Sequence, residues 1–224
     1  MAQKLPSRPV VRPPKNYDRV AFLYDLVADV GSGGAIAASK RAQLAHLRPG
    51  DRVLFAGSGT GRDAVAAARH GCDVTCVDAS RRMLDRAVSR ARRANVALST
   101  VHADLRDWAP ALPFDAVCAN HVLNVFAFDE ARAVLARLAQ HVRPGGLVQI
   151  ADFAPADGRC APLLRAHWRM TAAIGVTFGL CDRHGLADHR TWLSGLDLTP
   201  QEDRRFTVLG LLPAYRNLVL RKNA

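Results

Sequence analysis

The chain has 224 residues, 49% hydrophobic and 23% charged, with a formal net charge of +11. That balance excludes a disordered polymer and fits one domain with an elaborated cap. Apolar runs stop well short of the roughly 20 residues that a membrane-spanning helix needs.

The first 15 residues, MAQKLPSRPVVRPPK, are basic and Pro-rich and lack the apolar segment of a secretory signal, so a mobile tail is expected ahead of a single domain over residues 16–224. Over residues 16–48 two helices are expected: NYDRVAFLYDLVADV and, after a glycine break, GGAIAASKRAQLAHL. From Asp51 strand-like and helical runs alternate. RVLFA precedes DAVAAARHG, DVTCVD precedes RRMLDRAVSRARRA, ALSTVHAD stands alone, FDAVCAN precedes DEARAVLARLAQHV, and GLVQIADF follows. This rhythm predicts an α/β fold, a mostly parallel sheet covered by helices on both faces, with its ligand at the carboxyl ends of the strands. RPGG, at Arg143 to Gly146, is expected to stop a helix and turn into the next strand. Residues 154–190 lose the rhythm and read as a small helical lid. RRFTVLGLL and AYRNLVLRK then predict a closing antiparallel hairpin that turns around Pro213.

Five cysteines (Cys72, Cys76, Cys118, Cys160, Cys181) lie apart, with no Cys-x-x-Cys pair and no His at ligand spacing. Neither a metal site nor a disulfide framework is expected, and a reducing cytoplasm is the simplest setting.

Gly57, Gly59 and Gly61 follow a predicted strand and precede a predicted helix, where bare backbone lets a ligand approach closely. Asp78 ends the second strand, 17 residues after Gly61, where a carboxylate can accept from both ribose hydroxyls of an adenosine. The alternative is a tight turn with Asp78 as a helix cap. The loop lacks the Gly-Lys-Ser/Thr of a nucleoside triphosphate cradle and the usual Gly-x-Gly-x-x-Gly spacing of a dinucleotide oxidoreductase.

VLFAGSGTG, VTCVDAS, VHADL, FDAVCAN and LAQHVRPGGLVQI, in that order, resemble the five successive motifs of the class I S-adenosylmethionine-dependent methyltransferases, over roughly Tyr17 to Phe153. The resemblance implies a Rossmann-like, seven-stranded, mostly parallel sheet whose last strand inserts antiparallel. It also implies S-adenosyl-L-methionine as cofactor, S-adenosyl-L-homocysteine as product, and methyl transfer to a small-molecule, aromatic acceptor. YDRVAFLYD is similar to the leading helix of the ubiquinone and menaquinone C-methyltransferases.

By the same resemblance, Gly57, Ser58, Gly59, Thr60 and Gly61 would hold the methionine part of the cofactor and Asp78 the ribose. Ala79 and Met83 would lie beside the adenine, Asp104 and Leu105 at its amino group, and Asn120 near the methionyl end. Tyr17 and Tyr24 could close over the site or serve as core aromatics of an amphipathic helix. His121 is the candidate base, because it follows the fourth strand and imidazole titrates nearest neutrality; the alternative is a residue that shapes the pocket wall. Asn124 could orient an acceptor or cap a turn. His167, Trp168, Met170 and Phe178 could wall an aromatic acceptor, while His184 and His189 lie at the end of the lid.

Two departures stand out. Phe55 replaces the acid common two residues before the first glycine, and Asp63 is the nearest acid able to compensate, although its place first suggests a solvated acid favouring the helix dipole. NHVLNVF replaces the Gly-Leu-Arg-Asn stretch of the quinone enzymes and carries no Arg, which counts against quinone specificity. The charge keeps a nucleic-acid or ribosomal-component methyltransferase open, and a non-catalytic nucleoside-cofactor binding protein is the other alternative. RRMLDRAVSRARR reads better as a solvated outer helix than as a phosphate contact, and the Asn/Asp-Pro-Pro-Tyr and Pro-Cys patterns of base-modifying enzymes are missing.

Overall fold

A computed structural model describes residues 31–177 and 189–224. The strands are Arg52–Ala56 (β1), Asp73–Asp78 (β2), Ser99–His102 (β3), Phe114–Asn120 (β4), Val142–Phe153 (β5), Leu198–Val208 (β6) and Leu212–Lys222 (β7). The helices are Ala35–Ala42 (α1), Arg62–Arg69 (α2), Arg81–Ala94 (α3), Phe128–Gln140 (α4) and Ala161–Thr177 (α5). The expected first helix, with Tyr17 and Tyr24, lies outside the described residues; the second is α1, extended by one tight turn at Gln43–His46.

One seven-stranded sheet runs β3-β2-β1-β4-β5-β7-β6. The first five strands pair in parallel, and β7 inserts antiparallel between β5 and β6. The strand order reverses between β1 and β4, so a crevice opens at their carboxyl ends, where open α/β sheets bind ligands.

Side chains alternate across β1. Leu54 and Ala56 join a core with Val77, Val117 and Leu135 on one face, while Val53 and Phe55 join Ala64, Ala67, Cys76 and Cys118 on the other. Phe55 is therefore a core residue, only 4% exposed. A third cluster joins Ala35 of α1, Leu164 of α5 and Tyr215 of β7, and it fastens the cap to the sheet.

Two expected turns fall elsewhere. The RPGG segment lies inside β5: α4 stops at Gln140 with His141 as its cap, and the strand starts at Val142 with a register shift opposite Phe114 and Ala116. A Cβ on Gly146 would stand 2.6 Å from the Asp115 carbonyl oxygen, so the glycine permits close strand approach rather than a stop. The hairpin turns at Leu209 and Gly210, both at positive φ, while Pro213 belongs to β7. Positive φ at both central residues matches the twist of the flanking strands.

Candidate cofactor and acceptor site

The loop after β1 is folded by its glycines and pinned to its neighbour. Gly57, Gly59 and Gly61 all have positive φ, and the amides of Gly57 and Ser58 both donate to the Val77 carbonyl. A Cβ on Gly57 would strike Val122, and one on Gly61 would meet Ala87 Cβ at 2.5 Å. One on Gly59 would meet nothing within 4 Å. Two glycines thus serve packing, and the third faces open space. Arg90, on the basic outer helix α3, donates to the Thr60 carbonyl (3.2 Å) and braces the loop from behind.

Asp78 closes the adenosine side. Its Oδ2 accepts from Gly59 N and its Oδ1 from Ser80 N, both at 2.8 Å. Ser80 in turn caps α3 by accepting from Met83 N. Burial pushes the Asp78 carboxyl up, opposed by those two amide donors. Ala79 is exposed beside it, while Met83 and Leu105 are buried. Asp104 is gripped by Arg106, which also pairs with Glu130, and the Arg106 hydrogen bond holds its carboxyl below the usual range. An adenine amino group would have to share a carboxylate already engaged by Arg106.

At the other end of the loop, Asp63 is a first-turn acid of α2 that has an ion-pair partner as well as partial contact with solvent. Lys40 of α1 lies 3.2 Å from its Oδ2, and Asn120 Nδ2 lies 3.4 Å from the same oxygen. Gln43 Nε2 donates to Asn120 Oδ1 (2.8 Å) and to Asn217 Oδ1 (3.3 Å), which fixes the Asn120 amide.

Beyond Asn120, His121 has φ 54 and donates its amide to the Ala151 carbonyl. Non-glycine residues rarely adopt this conformation, and such positions cluster at functional sites. The ring is 7% exposed, with Nδ1 3.5 Å from Oδ1 of the buried Asp152. That oxygen also accepts from Asn124 Nδ2 (2.7 Å) and Phe153 N (2.8 Å). The Asn124 amide nitrogen is thus tied to Asp152. Phe153 and Tyr215 meet the His121 ring edge-on at 5.7 and 5.9 Å, and His167 of α5 reaches the Tyr215 hydroxyl at 3.2 Å. Burial lowers the His167 pKa.

Of the other lid residues, Trp168 is half-buried and Met170 is 60% exposed. Phe178 and His184 lie outside the described residues, and His189 falls in a short turn after them. Asp152, Phe153 and Tyr215 escaped the sequence reading. Asp152 and Phe153 end the run VQIADF, the carboxyl edge of a central strand, which was the available signal.

A family model described as a methyltransferase domain matches residues 53–146, which run from β1 into β5 and hold the whole loop. Residues 53–146 match a methyltransferase domain. The demethylmenaquinone methyltransferase of Tropheryma whipplei (strain Twist) is 32% identical over 162 residues, 69% of this chain and 64% of that protein. Its counterpart in Beutenbergia cavernae is 36% identical over 139 residues, 61% of this chain and 56% of that protein. The chain thus spans less than two thirds of the length of each of these two relatives. In fold it is similar to magnesium protoporphyrin IX methyltransferase from Synechocystis PCC 6803 with bound SAM, with a TM-score of 0.69 at 19% identity and 100% of both chains covered. Among the described residues, no helix is long and apolar enough to cross a membrane.

Proposed function

We propose that the protein is an enzyme that transfers the methyl group of S-adenosylmethionine to a small, flat, aromatic acceptor, with His121 as its base. The observation that carries this reading is the His121–Asp152 pair, set one residue beyond β4 and near the end of β5, at the carboxyl ends of two central strands. When bound, the cofactor supplies an electrophilic methyl carbon on a sulfonium. No covalent enzyme intermediate is required, because in-line transfer profits mainly from alignment.

The chain's own residues then have distinct tasks. Gly57 to Gly61 and Asp78 hold the cofactor, with Ala79, Met83, Asp104 and Leu105 around its base. Phe153 and Tyr215 give an aromatic acceptor an edge-lined apolar wall. Asp152 faces Nδ1 of His121, which favours a proton on that nitrogen and leaves Nε2 to take one from an acceptor hydroxyl or acidic C–H. The names of the two demethylmenaquinone methyltransferases support an acceptor with a flat ring system. Residues 154–190, from which His167 and Trp168 come, serve as the acceptor lid.

Labelled methyl transfer from S-adenosylmethionine to a panel of phenols and hydroquinones tests the assignment. A His121→Ala variant should bind S-adenosylhomocysteine normally and lose about 100-fold or more in kcat, the usual range for a general base. Unchanged turnover would remove His121 from the mechanism.

A further inference from the structure

S-adenosylmethionine and its product end in an α-amino acid, an ammonium and a carboxylate on one carbon, and a site for them needs countercharges at one end only. Asp78 stands at the ribose side of the glycine loop, held by Gly59 N and Ser80 N. At the opposite side Phe55 is buried in the core and offers no charge. The charges gathered there come from three elements: Lys40 from α1, Asp63 from the first turn of α2, and the Asn120 amide from the end of β4.

We propose that Lys40 and Asp63 form the seat for the amino acid end of the cofactor, with Lys40 taking the carboxylate and Asp63 the ammonium. This assignment rests on the methyltransferase reading above. The two side chains lie 3.2 Å apart and are 20% and 23% exposed, partly shielded yet still open to solvent. Their mutual ion pair exchanges for two pairs of the same kind with a zwitterion, so neither charge is left buried and alone. Asn120 cannot swing into the gap, because Gln43 holds its amide oxygen and Asp63 lies against its amide nitrogen. The Asp63 charge reaches as far as Cys118, where it adds to the effect of burial in raising the thiol. It therefore sits over the same layer that Phe55 fills with carbon. Because Lys40 comes from α1, docking of that helix and grip on the cofactor become one event.

Calorimetric titration with S-adenosylhomocysteine and with 5′-methylthioadenosine, which keeps the adenosine and thioether but lacks the amino acid, isolates this end. Asp63→Asn and Lys40→Met should each weaken S-adenosylhomocysteine by about tenfold or more, the size of a lost charge-assisted contact. Methylthioadenosine should stay within about twofold of wild type, and Lys40→Arg should restore much of the preference. Retained preference for S-adenosylhomocysteine in both variants, or equal loss of both ligands, would overturn the assignment. Wild-type protein that binds neither ligand would instead overturn the methyltransferase reading beneath it.

Discussion

Asp78 is the residue whose chemistry is most exposed to experiment. Burial raises its carboxyl, while the amides of Gly59 and Ser80 draw it down. A carboxyl with a raised folded value favours its neutral form, so its charge costs stability above the unfolded value and that cost is relieved as pH falls. Ligand binding runs the other way, because protonation removes an acceptor from the ribose hydroxyls and weakens the bond from Gly59. Affinity for S-adenosylhomocysteine should fall as the solution is taken from about pH 8 to about pH 5, beginning above the usual carboxylate range. Asp78→Asn should bind weakly throughout with a flatter profile. An unchanged pH profile in the variant would mean that Asp78 does not touch the ligand. His121 adds a second lesson at this scale: its place after β4 was legible, but the carboxylate that orients it comes from β5, 31 residues later. No local pattern announces such a pair.

At the scale of the element, the loop separates glycines that sequence alone treats alike. Gly61→Ala must push into Ala87 at 2.5 Å and also hold an alanine at φ 73, costs of about 1–3 and 1–2 kcal/mol respectively. Gly59→Ala bears only the second cost, but places its methyl where the ligand belongs. Thermal denaturation should show the larger loss for Gly61→Ala, and calorimetry the larger loss of S-adenosylhomocysteine binding per unit of stability for Gly59→Ala. Equal behaviour in both assays would contradict the division. The strand–helix alternation was readable because apolar runs and amphipathic helices have different periods. RPGG misled because its composition is that of a turn, whereas backbone proximity to Asp115 demands the glycine within a strand. Pro213 misled in the same way: the true turn at Leu209 and Gly210 carries an apolar residue in a left-handed conformation.

For the molecule as a whole, the central claim is that the reversal of strand order between β1 and β4 creates one site, adenosine at the β2 side and chemistry at the β4–β5 side. Several basic residues serve the framework instead: Arg90 braces Thr60, Arg106 grips Asp104 and Glu130, and Arg143 pairs with Asp115. The acceptor side was less legible than the cofactor side, because Phe153, His167 and Tyr215 meet only after β7 has inserted beside β5. The most direct test is calorimetric titration of the full chain with S-adenosylhomocysteine, NAD and NADP. The account predicts a single S-adenosylhomocysteine site per chain and no heat from either nicotinamide cofactor; binding of NAD or NADP without S-adenosylhomocysteine would contradict it.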